Sequence, residues 1–83
     1  MVLVLRQAQL IIQLYESGGS LTTTELARSL HLLPQHIAQI ARACQELGLV
    51  ERKRRGQKVT TTLTEKGKEI APLLKQLLEK LQQ

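Results

Sequence analysis

Three residues, His31-Leu32-Leu33, separate one helical pattern from the next, and this corner constrains the chain more than anything else in it. Before it, Thr22 and Glu25 stand at capping-box spacing, where each side chain satisfies the other's free backbone amide. Leu26, Ala27 and Leu30 follow as a short apolar stripe, so a helix is expected from about Thr23 to Leu30. After the corner, Pro34 suits the first turn of a new helix, where its missing N–H is not needed. Ile37, Ile40, Ala41, Cys44 and Leu47 lie at helical spacing, and Gly48 ends the run. Two helices spanning 23–47 must therefore meet at a very tight corner.

The flanks read differently. Leu10, Ile11, Leu14 and Tyr15 share one face of a first helix over 5–17, which Ser17-Gly18-Gly19-Ser20 breaks. Leu49 to Arg52 and Lys58 to Leu63 read as the strands of a hairpin spanning 49–63, with Gly56 in the turn. Val59, Thr61 and Leu63 alternate with Lys58, Thr60 and Thr62. Thr64 is positioned to cap a last helix over 65–82, with Glu65 near its positive end. Ile70, Leu73, Leu74, Leu77, Leu78 and Leu81 form a broad apolar stripe there. Pro72 inside that pattern should kink or split it.

Length and composition bound the function. The 83 residues make one domain with an ordinary hydrophobic content of 42%. The core must be aliphatic, because Phe and Trp are absent and Tyr15 is the only aromatic. That also argues against single-stranded nucleic acid, which is held by stacking bases on rings. The lone cysteine, Cys44, excludes an internal disulfide and fits a reducing compartment. It lies on an apolar face, which favours a buried core thiol over a reactive one. His31, His36 and Cys44 do not form a metal-ligand cluster. There is no Asp and no paired carboxylate, so neither an enzyme nor a cofactor is expected. The opening MVLVLR is too short for a membrane span and lacks the flanks of a secretion signal. The expectation is a soluble, cytoplasmic, nucleoid-associated protein.

Charge is the second strong signal. Twelve Lys and Arg against seven acids give a net charge of +5, and such a surplus favours polyanionic partners. Arg52, Lys53, Arg54, Arg55 and Lys58 crowd into the tip of the expected hairpin. They repel one another and add nothing to a fold. Either the cluster is a solvated edge that blocks aggregation, or a polyanion sits against it.

The order helix, tight corner, helix, basic hairpin resembles a winged helix-turn-helix from about Leu10 to Ile70. Glu25-Leu26-Ala27, Leu30, Leu32, Pro34, Ile37 and Ile40 match the residues that lock the two helices together. Leu63-Thr64-Glu65-Lys66-Gly67-Lys68-Glu69-Ile70 resembles the segment after the wing in MarR-like transcription regulators. The resemblance implies an α+β fold, mainly helical with a small hairpin, in the order α-(short β)-α-α-β-β-α. Three departures stand out. His31 occupies a corner position usually held by glycine, Leu33 replaces a capping Ser, and the chain is shorter than MarR-like regulators. The last departure argues against a sizeable ligand pocket.

The resemblance also implies where DNA would lie. The second helix of the pair enters the major groove with its N-terminal half near the bases. Its outer face carries Gln35, His36, Gln39 and Arg42, which are either DNA contacts or an ordinary polar surface. Gln pairs with adenine and Arg with guanine, while His36 and Arg42 suit phosphate or sugar equally. Arg54 and Arg55, flanking Gly56, would reach backbone or minor groove, with Arg52, Lys53 and Lys58 further down. Thr22, Thr23 and Arg28 are weaker phosphate candidates. Leu73, Leu74, Leu77, Leu78 and Leu81, with the apolar strip from Met1 to Leu5, suit a two-fold dimer or burial within one chain. A dimer would favour a palindromic site. The expectation is therefore a dimeric repressor of double-stranded DNA. A low-specificity architectural DNA binder and a protein-interaction module remain as alternatives.

Overall fold

The computed structural model describes residues 5–81. Four helices and three strands follow one another as α1 (Leu5–Glu16), β1 (Ser20–Thr22), α2 (Thr23–Leu30), α3 (Pro34–Glu46), β2 (Val50–Arg55), β3 (Lys58–Leu63) and α4 (Glu65–Leu81). The strip from Met1 to Val4 lies outside the described residues.

The capping box forms as its spacing requires. The Thr22 hydroxyl accepts from the Glu25 N–H at 3.2 Å, and the Thr22 N–H donates to Glu25 Oε1 at 3.0 Å. At the other end of α2, His31 takes the left-handed conformation (φ 57°, ψ 43°) that glycine would adopt freely. It is the one non-glycine residue with positive φ among those described. His31 and Leu32 both close their N–H groups on the Ala27 carbonyl, which satisfies the helix end. The corner therefore keeps its shape without glycine. Leu33, at the start of α3, makes no side-chain capping bond.

The sheet is antiparallel with β3 in the middle, in the order β1-β3-β2. β1 is tied on by Ser20 Oγ to Thr62 Oγ1 at 3.0 Å, and α2 by the Thr23 hydroxyl donating to the Val59 carbonyl at 3.3 Å. One aliphatic core joins all the helices to the hairpin. Leu10, Ile11 and Leu14 of α1, Leu26 of α2, Ile37 and Cys44 of α3, Val50 and Leu63 of the hairpin, and Ala71 of α4 are all buried in it. Tyr15, expected on the same face as Leu14, is exposed.

Of the two expected outcomes at proline, a kink or a split, the split does not occur, since α4 runs as a single helix through Pro72. Pro72 forfeits one backbone bond, but Ala71 and Leu74 on either side are buried and hold the segment against the core. The start of α4 is braced by the loop before β2. The Thr64 hydroxyl donates to the Gly48 carbonyl at 2.6 Å and accepts from the Gly67 N–H at 3.1 Å. Lys66 Nζ donates to the Leu47 carbonyl at 3.2 Å. A β-carbon on Gly67 would fall on the Leu49 carbonyl oxygen, so this crossing requires glycine.

Candidate nucleic-acid interface

The geometry of α3 follows from its buried stripe. Ile37, Ala41 and Cys44 face the core. At about 100° per residue, the opposite side of the helix carries Gln35, Gln39, Arg42 and Glu46. Gln35, His36, Gln39 and Arg42 are all exposed. His36 lies on one flank of this face. Pro34 and Ala38 lie on the other, toward the hairpin. The uncapped first turn leaves the positive end of the α3 dipole open to anions.

The hairpin departs in detail from the sequence reading. The cations do not cluster in a loop, because β2 extends through Arg55 and the turn is only Gly56-Gln57. Lys58 pairs with Arg55, so it sits at the tip rather than further down. Gly56 supplies the positive φ of 57° that this short turn takes at its first position. Arg54 does not flank the turn alone: its Nε donates back to the Gly56 carbonyl at 3.1 Å.

Strand alternation then divides the cations between two faces. By register Lys53, Arg55, Lys58 and Thr60 share the outer face, although Lys58, at the tip, also borders the groove toward α2. Arg52 and Arg54 share the inner face with Val50, Thr61 and Leu63, as the pairings Arg52↔Thr61 and Arg54↔Val59 require. Arg52 is only half exposed, and its Nε is buried without a hydrogen-bond partner, as is the hydroxyl of Thr61 opposite.

Between the start of α2, the first turns of α3 and the hairpin lies an open groove of about 710 Å³. Thr22, Thr23, Arg28, Arg52 and Lys58 line it, together with Pro34 and Ala38. The structure thus brings the weaker candidates on α2 together with two of the hairpin cations. Gln35, Gln39, Arg42, Lys53, Arg54 and Arg55 lie outside it. The one acid in the groove is Glu25, already engaged by Thr22. Those hydrogen bonds lower its pKa first, and the Arg28 and Lys58 charges add to the effect. The carboxylate is therefore ionised and committed, and it leaves the groove with a surplus of positive charge. A surface of this kind attracts anions by charge, and the neutral amides of Gln35 and Gln39 stand on the adjoining exposed face of α3.

The expected association surface splits in two. Leu74 is 8% exposed and belongs to the core, and Leu78 packs against it. Leu73, Leu77 and Leu81 are 63%, 54% and 71% exposed and line up four residues apart along the far side of α4. Among the described residues no three His, Cys or Glu side chains converge as a metal site. No helix of the described residues is long and apolar enough to cross a membrane.

A sequence profile of the MarR family matches residues 3–58. The chain belongs to the MarR family. Solved structures of this winged-helix family superpose closely on it. The Staphylococcus aureus MepR–DNA complex has a TM-score of 0.84 at 18% identity, covering 96% of this chain and 61% of that one. Streptococcus pneumoniae FabT in complex with DNA has a TM-score of 0.79 at 20% identity, with 95% and 57% covered. Lactococcus lactis ZitR, as its E41A mutant, has a TM-score of 0.82 at 25% identity, with 98% and 56% covered. The chain thus spans about six-tenths of the length of these regulators. No curated protein sequence matches it significantly.

Sequence reasoning missed three features of this surface. The inward turn of Arg52 depends on the register with Thr61. The place of Lys58 at the tip depends on the length of the turn. The groove depends on how α2 meets the hairpin. The first two become readable once the turn is assigned to Gly56-Gln57, because alternation then sets every face.

Proposed function

We propose that this MarR-family chain is a transcription repressor that binds double-stranded DNA as a homodimer. α3 enters the major groove with Gln35, Gln39 and the flanking His36 near the bases and Arg42 near the backbone. Lys53, Arg54, Arg55 and Lys58 hold phosphates or enter the minor groove beside it, and Arg28 and Arg52 add charge within the groove between them. Thr22 and Thr23 offer hydrogen bonds to phosphate at its edge. The exposed row Leu73, Leu77 and Leu81 meets its copy across a two-fold axis. That symmetry sets two α3 helices about 34 Å apart, one turn of DNA, and calls for a palindromic site. Repression follows from occupying a promoter against polymerase.

The observation that carries this reading is the concentration of five cations in the hairpin beside the first turns of α3, which expose the neutral amides of Gln35 and Gln39. Fluorescence anisotropy on random and genomic duplexes across salt tests it. A dimer contacting about 6–10 phosphates loses roughly 10³–10⁵ in affinity between about 50 and 200 mM salt. Preference for one fragment by about 10³ or more supports a sequence-specific regulator, and a flat ranking supports an architectural binder instead. Absence of duplex binding at low salt overturns the proposal and favours a protein partner.

A further inference from the structure

We infer that the DNA this chain selects carries adenine at two positions about two base pairs apart in each half-site, read by Gln35 and Gln39. The inference rests on the proposed DNA-binding role and names the sequence that role would recognise.

Gln35 and Gln39 are both exposed and stand on one line of α3, opposite the buried Ile37, Ala41 and Cys44. Four residues of helix rise about 6 Å, close to two base steps of about 3.4 Å. A glutamine amide offers one donor and one acceptor side by side, which matches adenine N7 and N6 in the major groove. Guanine presents two acceptors there and calls for Arg or Lys. The first two turns of α3, Pro34 to Ala41, contain neither.

The rest of the helix narrows the choice. Arg42 is the first cation of α3 and falls in its third turn, where contact with the backbone is favoured over the bases. Glu46 continues the same exposed line one turn later, and its carboxylate would repel phosphate. Base contact is thereby confined to the N-terminal half. Ala38, beside the glutamines on the hairpin side, keeps that half low, and its methyl group suits a thymine methyl. Charge for affinity comes from a different element, the hairpin, so α3 is free to use neutral groups for discrimination.

Selection of bound sites from a random duplex library at fixed salt tests this, using the full chain and two exposed-surface variants. The wild type should enrich two A·T pairs about two base pairs apart. Changing either to G·C should weaken binding roughly 5- to 150-fold. Gln39→Arg should move one of the two positions to guanine and leave the other unchanged. Gln35→Ala with Gln39→Ala should abolish the preference at both positions while keeping salt-dependent binding to all duplexes. Enrichment of G·C at these positions overturns the inference, as does a Gln39→Arg variant that weakens every sequence equally. Either result leaves DNA binding itself intact. Failure of the wild type to bind any duplex overturns both the inference and the role beneath it.

Discussion

The hairpin and the far side of α4 are two of the exposed surfaces on which the proposed function depends, and they are built alike. Each is an amphipathic element with one row of side chains in the core and one row outside. β2 buries Val50 and turns Lys53 and Arg55 outward; α4 buries Ala71 and Leu74 and turns Leu73, Leu77 and Leu81 outward. The difference lies in what water does with the outer row. Solvated cations are stable without a partner, so the hairpin can wait exposed for a polyanion. Exposed leucines keep an unfavourable hydration that burial would relieve, at roughly 25 cal/mol per Å². One surface is therefore suited to binding that salt can switch off, and the other to lasting association.

The largest expected effect tests the first half of that contrast. Arg54→Ser, Arg55→Ser and Lys58→Ser together should lower the slope of log affinity against log salt by up to about three per protomer. Affinity at low salt should fall for every duplex, and thermal stability should stay within about 0.5 kcal/mol per site. An unchanged salt slope would mean that these charges serve solubility alone.

The next effect concerns the opening of α4. Gly67→Ala drives a methyl group into the Leu49 carbonyl, and urea unfolding should show a loss of about 3 kcal/mol. Wild-type stability in this variant would mean that the loop before β2 moves aside easily, and the brace formed by Thr64 and Lys66 would lose its meaning.

A matched pair on α4 then separates core from interface. Leu74→Ala should cost the fold about 2 kcal/mol, the low end for a leucine at the edge of a core. Leu77→Ala should leave the folded monomer within about 0.5 kcal/mol but weaken self-association in sedimentation equilibrium. If Leu77→Ala leaves association untouched, the outer row is not the dimer contact.

The smallest effect probes the interior beneath both surfaces. Burial raises the Cys44 thiol from 9.0 to about 11. The folded chain keeps the proton where the unfolded chain releases it, so stability falls as pH rises from about 9 toward 11. Near pH 10 the loss is on the order of 1 kcal/mol. Comparing urea midpoints of wild type and Cys44→Ala at pH 8 and 10 isolates it. Equal pH responses would show that the thiol reaches water.

Local chemistry made much of this protein legible. The capping box at Thr22 and Glu25, Pro34 at the start of α3, and the alternation of β3 are interactions between residues a few positions apart. The MarR-like segment around Gly67 was also visible, though its steric reason was not. The charges of the hairpin were readable as a cluster but not by face, because faces follow from register, and register follows from a turn of only two residues. The apolar stripe of α4 was readable as too broad for one core. Which leucines it leaves outside depends on how α4 lies against α1.

By itself, then, the sequence determined the helices, their caps, the tight corner and the surplus of positive charge. These are short-range matters of hydrogen bonding, backbone preference and composition. Only the tertiary structure decided that the Nε of Arg52 is buried without a partner, that Gly67 meets the Leu49 backbone, and that Leu74 is buried while Leu77 is not. Each of those depends on contact between segments far apart in the chain. Such contacts are set by packing, which no local pattern encodes.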